Sequence, residues 1–539
     1  MGALCVRTFG FRIRVLSNIR LQASVFLAAL DITIISTPLA TISEYFHSSA
    51  AYTWVGSTYM LADAAGTPIW GKLSDIWGRK PLLLVATAIF FLGSALSGAA
   101  VNIDMLIAGR AVQGFAGGGL LTLVNICISD MFSMRDRAKY YGIIGMAWAL
   151  ASACGPVIGG VLTQRVSWRW CFYINLPITG SAFLIILFTL NIQTLKTPMI
   201  AGLLAVDWLG SFSVAGATLI MFLLGLTFGG VTHPWSSAVV LCLLIFGAAL
   251  FIIFILIEWK VAKYPLMPLR LYRNASNMAS LAGCFCHGSI LVLGAFFLPL
   301  YFQATLGATA LLSGVWLLPF ALSMSFSAGF TGWYISATGR YIDGVRLAFA
   351  LSVFGFGLLI DLTSQKSWPK IIIFQIICGV GIGPNFQALL IALQNQVKPQ
   401  DYATATAAFG FMRNLATSIG LVIGNVIFQN RMLKQSAILT KTLGPQMAEL
   451  FYGGSAEASV HIADALPDAQ KAVVRNAYYT SIRAVWFLAV AFAGAGLVLT
   501  LFIRVKELSR IHEQIKTGLE SMDPPREEGT IKTPKQGEP

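Results

Sequence analysis

The chain has 539 residues, of which 56% are hydrophobic and 11% charged. A soluble protein carries about 25% charged residues, and no water-facing fold hides this much apolar surface, so the bilayer must be the solvent. The net charge of +14 sits in short turns and at the termini, the distribution of membrane orientation and not of a phosphate-binding face, so no nucleic-acid partner is expected.

A helix needs about 20 apolar residues to cross a bilayer. Fourteen such spans are predicted, giving an all-α polytopic membrane protein. Six lie near 21–42, 52–70, 81–101, 104–129, 138–162 and 170–190. Two follow near 208–229 and 236–257, and six more near 275–302, 311–335, 346–363, 370–394, 403–428 and 484–504. The domain reading is an N-terminus at 1–20, a first six-helix bundle at 21–190, and an inserted helix pair with linker at 191–274. A second six-helix bundle follows at 275–504, with a long loop at 429–483, and then a tail at 505–539 that reads as a short helix and disorder.

Basic residues set the orientation. The turns after spans 2, 4, 8 and 10 hold Lys72, Arg79 and Lys80; Arg135, Arg137 and Lys139; Lys260, Lys263, Arg270 and Arg273; and Arg340 with Arg346. The alternate turns are poorer, so both termini are expected in the cytoplasm and the 429–483 loop on the other side. The sequon at Asn274 then faces the cytoplasm and should stay unmodified. No cleavable signal peptide is expected, because the first apolar run contains Asp31 and exceeds signal length. Seven of the eight cysteines lie in apolar stretches and none has metal-site spacing.

In chain order, Asp31 falls in span 1 and Asp63 in span 2. An ionisable group inside the membrane is a functional candidate by default. The Gly71-Lys72-Leu73-Ser74-Asp75-Ile76-Trp77-Gly78-Arg79-Lys80 stretch reads as a tight charged turn, with Gly71 and Gly78 permitting the bends and Asp75 pairing with Arg79. A reach of Asp75 toward the start of span 13, near Asp401, would make it a latch between bundles. Span 4 holds Arg110, Gln113 and the run Gly117-Gly118-Gly119. By depth, Asp31 lies about 15 Å from the cytoplasmic end of its span and Arg110 about 9 Å from the outer end of its own, in a core about 30 Å thick. The two are therefore expected to pair. Span 5 contains Gly155, Pro156, Gly159 and Gly160, a proline kink flanked by close-packing glycines. Span 12 offers Asn385 and Gln387 just after Gly383-Pro384, and span 13 offers Arg413; with Gln113 these are cavity candidates. His287 in span 9 is expected to be satisfied by a neighbour.

The 71–80 stretch resembles the signature turn of the major facilitator superfamily between its second and third helices. Leu106-Ile107-Ala108-Gly109-Arg110-Ala111-Val112-Gln113-Gly114 resembles its fourth-helix motif, and Gly155-Pro156-Val157-Ile158-Gly159-Gly160 its antiporter motif. Leu30-Asp31-Ile32-Thr33-Ile34-Ile35 and Trp168-Arg169-Trp170-Cys171-Phe172-Tyr173-Ile174-Asn175-Leu176-Pro177 are similar to marks of the fourteen-span drug:proton antiporters, and Trp54-Val55-Gly56-Ser57-Thr58-Tyr59-Met60-Leu61-Ala62 and Gly339-Arg340-Tyr341 resemble stretches of fungal toxin and secondary-metabolite pumps. Arg12, Arg14, Arg20 and Gln22 depart from the apolar lead such proteins carry before the aspartate.

The resemblance implies the major facilitator fold and proton-coupled efflux of small, mostly apolar molecules by rocking of two bundles. Asp31, Asp63 and Arg110 would couple protons to substrate. No Gly-x-x-x-x-Gly-Lys-Ser/Thr loop is present, so no nucleotide or other cofactor is expected, and the chain is read as a transporter and not an enzyme. The expected partners are a small-molecule substrate, protons and lipid, with the protein a monomer in the cell membrane. A vacuolar importer of basic amino acids shares the same architecture and is the alternative.

Overall fold

A computed structural model describes residues 25–35, 38–46, 49–189, 197–217, 225–229, 233–262, 265–452, 456 and 459–511. The described residues are predominantly helical, and among them the pairing of extended backbone is limited to an isolated bridge between Gly229 and His233.

The first group of helices comprises α1 (Val25–Ile34), α2 (Leu39–Tyr45), α3 (Ser49–Trp77), α4 (Arg79–Gly98), α5 (Ile103–Met131), α6 (Met134–Arg165), α7 (Trp170–Tyr173) and α8 (Asn175–Thr189). Four elements follow: α9 (Met199–Ala205), α10 (Trp208–Ala217), α11 (Leu226–Phe228) and α12 (Ala238–Lys260). The last group is α13 (Ala275–Ala304), α14 (Ala310–Trp316), α15 (Leu318–Thr338), α16 (Ile342–Leu359), α17 (Trp368–Ile382), α18 (Asn385–Gln394), α19 (Tyr402–Lys434), α20 (Ser436–Leu443), α21 (Pro445–Glu449), α22 (Val460–Asp464) and α23 (Asp468–Leu499).

Among the described residues, eleven helical stretches are long and apolar enough to cross a membrane. α1 is a shorter apolar helix. α3 has 29 residues, but Asp63, Lys72 and Asp75 dilute its apolar character. With α1, α3 and the α9–α11 region the set is compatible with fourteen spans.

Two bundles form. In the first, α5 packs against both α3 and α4, and α4 against α8. In the second, α13 packs against α19 and α23, and α16 against α17 and α23. The inserted α10 and α12 pack on each other. α12 is the least buried span, its apolar side chains facing outward as lipid would require. α5, α13 and the α17–α18 pair are the most buried and form the interior.

The bundles meet along two seams, α6 with α15 and α3 with α19. Both seams include close backbone contacts toward where α3 ends and α6 begins, the basic end of the molecule. There, a Cβ at Gly71 would lie 2.7 Å from that of Ala407, and one at Gly142 would lie 3.0 Å from the Ala328 carbonyl. Small residues permit this backbone approach.

Several sequence expectations change. The 71–80 stretch is not a loop: α3 stays helical to Trp77, and only Gly78 separates it from α4. Gly71 is thus a packing residue, whereas Gly78, at φ 89°, does make the bend. Helices outrun the predicted spans because their polar ends continue past the apolar core; α6 begins at Met134 and α23 at Asp468. The 429–483 region is largely helical, built from the end of α19, α20 to α22 and the start of α23.

Residues 503–511 have no regular structure and are not helical. The Arg504 N–H donates to Ser276 Oγ at 3.0 Å, and its carbonyl accepts from Tyr341 Oη at 3.0 Å. The Lys506 carbonyl accepts from Asn395 at 2.8 Å, and the Ser509 carbonyl from the Arg135 N–H at 3.2 Å. The segment therefore crosses from the second bundle to the first. Residues 1–20 and the tail beyond 511 lie outside the described residues, as do 190–196, 218–224, 230–232 and 263–264 of the inserted region.

Candidate functional site

Asp31 lies near the end of α1 and has no solvent exposure. Its Oδ2 accepts from Arg110 Nη1 at 2.5 Å. Its Oδ1 accepts from Asn175 Nδ2 at 2.5 Å and Gln113 Nε2 at 3.2 Å. Arg110, 1% exposed, also donates to the Val55 carbonyl at 3.1 Å and to Gln113 Oε1 at 3.0 Å, and stacks 4.4 Å over the Tyr59 ring. Gln113 donates to Ser94 Oγ at 2.8 Å and accepts from Ser97 Oγ at 3.1 Å. One carboxylate thus ties together α1, α3, α4, α5 and α8. A buried ion pair holds only when the remaining lone pairs and protons are satisfied too, and here the amides and hydroxyls do this.

Glycines bring these helices close enough. A Cβ at Gly114 would overlap the Tyr59 carbonyl, and one at Gly118 would overlap Asp63. Gly155 does the same for α6, where a side chain would run into Thr33, whose Oγ1 donates to the Ala151 carbonyl at 3.0 Å. The span-5 motif therefore seats α6 against α1 two residues from Asp31. α6 continues through Pro156, whose ring lies 3.6 Å from a Cβ at Gly314 of α14. Gly159 uses its carbonyl to accept from Thr163, and Gly160 faces open space.

Asp63 is separate from the Asp31 centre. Its Oδ1 accepts from Asn414 Nδ2 at 3.2 Å and Thr67 Oγ1 at 3.4 Å. Asn414 belongs to α19, so this carboxylate is bonded across the seam between bundles.

At the basic end Arg79 is clamped by two acids. It donates to Asp75 Oδ1 at 2.6 Å, Asp130 Oδ2 at 2.7 Å and Ser74 Oγ at 2.8 Å. All four residues belong to the first bundle. Asp401 pairs instead with Arg270, at 2.5 Å. The expected Asp75 link to the second bundle is absent among the described residues, because Arg79 folds back onto α5 and occupies the carboxylate. No ion pair of Lys80 is found among them either. The cross-bundle bonds lie one helix away. Arg135 donates to the carbonyls of Ser336 and Ala337, capping the end of α15 where its positive charge meets the helix dipole. Arg137 donates to Gln394 Oε1 at 3.3 Å and lies 4.4 Å over the Tyr402 ring. Gln394 Nε2 in turn donates to Thr406 Oγ1 at 2.9 Å and Tyr141 Oη at 3.1 Å.

The second bundle holds the other candidates. Gly383 and Pro384 divide α17 from α18 just before Asn385. Asn385 donates to the Val345 carbonyl at 3.5 Å while its Oδ1 is unpartnered, and both amide atoms of Gln387 are unpartnered. Arg413 donates to the Phe386 carbonyl and stacks between the rings of Phe386 (4.4 Å) and Phe409 (4.9 Å). His287 Nε2 is 3.1 Å from the Ile382 carbonyl. Sequence reasoning found Asp31, Arg110, Gln113 and Asp63 but missed Asn175, Tyr59, Asn414 and Asp130. Asn175 and Tyr59 lie in stretches that carry the family resemblance, and Asp130 is an acid at the polar end of a span; Asn414 carried no signal.

The arrangement has two polar centres built on carboxylates, one tied to an arginine within a bundle and one bridging the bundles.

Residues 22–198 match the family model described as Major Facilitator Superfamily. An efflux pump, dotC, of Dothistroma septosporum is 49% identical over 94% of this chain and 86% of its own. The MFS-type transporter ppz2 of Metarhizium majus is 47% identical over 95% of this chain and 88% of its own. An Acurin A biosynthesis cluster MFS-type transporter of Aspergillus aculeatus is 37% identical over 91% and 89%. The crystal structure of the human organic anion transporter MFSD10 (TETRAN) superposes with a TM-score of 0.55 at 15% identity, covering 90% of this chain and 99% of that one. That last likeness speaks to fold alone.

Proposed function

The chain belongs to the major facilitator superfamily and is a multi-pass membrane transporter, and from that premise we propose that it exports small, mostly apolar organic molecules in exchange for protons. The substrate would be a secondary metabolite or toxin, in keeping with relatives named as an efflux pump and as a biosynthesis-cluster transporter. The cell membrane is the proposed site, with the basic end in the cytoplasm.

The observation that carries the reading is the Asp31 centre. A carboxylate with no exposure is bonded to a buried arginine and two amides. Protonation of Asp31 removes its attraction for Arg110 and frees a network that joins five helices. A proton can therefore change how the first bundle packs, which alternating access requires. In this state the basic end is held shut by Arg135, Arg137 and Gln394, so the transporter must break these bonds to take substrate from that side.

The test is directional. Inverted membrane vesicles from cells expressing the chain, given an acidic interior, should accumulate an apolar fluorescent probe such as Nile red above control vesicles. Right-side-out vesicles should not. Equal accumulation in both orientations, or indifference to a protonophore, would overturn the proposal.

A further inference from the structure

We propose that Arg413 is the anchor for an ionised acidic group on the exported molecule, so that the substrate is an aromatic or apolar body carrying one negative charge. This rests on the exporter reading and names its substrate class.

Arg413 is 7% exposed and lies about eleven residues into α19, roughly 17 Å from its basic end at 1.5 Å per residue, near mid-membrane. A guanidinium at that depth is costly and pairs with an acid or with backbone carbonyls. The two other buried arginines treated as functional have an acid: Arg79 bonds to Asp75 and Asp130, and Arg110 to Asp31. Arg137 lacks an acid too, but it sits in the first turn of α6 at the membrane face. Arg413 has a carbonyl, two aromatic faces, the Cys284 thiol beside it and, among the described residues, no carboxylate; its Nε has no partner. Asp63, bonded to the neighbouring Asn414, reaches α19 on another side. Among the described residues no acid answers the Arg413 charge, which leaves the place open to an acidic group on a bound molecule.

The surroundings fit such a molecule. The Phe386 ring that carries Arg413 lies 5.6 Å from the ring of Trp148 on α6, so the stack spans both bundles. Gln387 is 5% exposed, with its amide oxygen and nitrogen both unpartnered. It lines a cavity of about 10 Å³ closed off by Tyr141 and Gly142 of α6 and Thr331 and Gly332 of α15. That volume holds no more than a water. Opening of the α6–α15 seam widens it and uncovers Gln387, Phe386 and Trp148 together. Flat apolar surface then stacks on the rings while the acid takes the free edge of Arg413.

The experiment uses the purified full chain in detergent with two probes of one shape, 2-naphthoate and its neutral isostere 2-naphthamide, read by tryptophan fluorescence. Wild type should bind the acid at least about tenfold more tightly than the amide, the scale of one charge-assisted hydrogen bond. Arg413→Gln should abolish that preference, and Arg413→Lys should keep part of it. Equal affinities for acid and amide in wild type, no binding of the acid, or a preference that survives Arg413→Gln would each overturn the proposal. Should Arg413→Gln fail to fold, the wild-type comparison and the lysine variant still decide. Proteoliposome transport separates this from the exporter reading: pH-driven movement of the amide without any acid preference sinks the anchor alone. Acid preference in binding with no pH-driven transport sinks the exporter alone.

Discussion

Arg110 and Asp31 each make the other tolerable. Removing one partner of a buried pair leaves an uncompensated charge, at a cost of about 3–5 kcal/mol. Arg110→Gln should therefore lower the thermal transition of the purified protein sharply. Asp31→Asn should lower it less, because Arg110 keeps the Val55 carbonyl, Gln113 and the Tyr59 ring. Equal transitions for wild type and Arg110→Gln would contradict the assignment of the pair. These two residues were legible in the sequence because charges deep in apolar helices are rare and must be accounted for. Their supports were not. Asn175 is 144 positions from Asp31 and Asn414 is 351 from Asp63, and a lone asparagine on a helix gives no hint of the face it presents or the helix it meets. Asp75 shows the reverse failure. Its partner Arg79 was readable from the i,i+4 spacing, but the competing pull of Asp130 on that arginine was hidden in another helix.

Helix-level features depend on glycine at a few points. Gly78, at φ 89°, is the whole junction between α3 and α4. A side chain there occupies a left-handed backbone, so Gly78→Ala should cost about 1–2 kcal/mol of stability, measured by thermal unfolding. Gly71 has another job, since it lets α3 touch Ala407 of α19. Gly71→Val should wedge the seam and favour the form open at the basic end. The check is a reporter cysteine, Thr331→Cys in a cysteine-depleted background, beside the seam cavity; it should react faster with a water-soluble thiol reagent. An unchanged rate would show that this contact does not set the balance. Sequence gave the helices of both bundles, because long apolar runs leave few alternatives, but placed their ends poorly. Lys471, Arg475 and Arg483 looked like loop residues, yet they ride on the polar start of α23 beyond the apolar core. Hydropathy reports where a helix meets lipid and is silent on where it stops.

On the scale of the whole molecule, the two bundles are joined at the basic end by side-chain bonds and by the 503–511 segment. Ile503 and Leu508 are buried, and the Ser509 carbonyl accepts from Arg135 of the first bundle. A chain ending at Arg504 should fold and insert, yet label the same reporter cysteine about fivefold faster, the effect of losing one hydrogen bond worth ~1 kcal/mol across the seam. An identical rate would show that the segment is carried passively. The central claim is that Asp31 couples proton movement to export. Purified wild type and Asp31→Asn, each in proteoliposomes under an imposed pH difference, test it with a probe that wild type transports. Wild type should accumulate the probe and lose it on adding a protonophore. Asp31→Asn should exchange labelled for unlabelled probe across the membrane but build no gradient. Accumulation by Asp31→Asn at the wild-type level would contradict the claim and pass the role to Asp63.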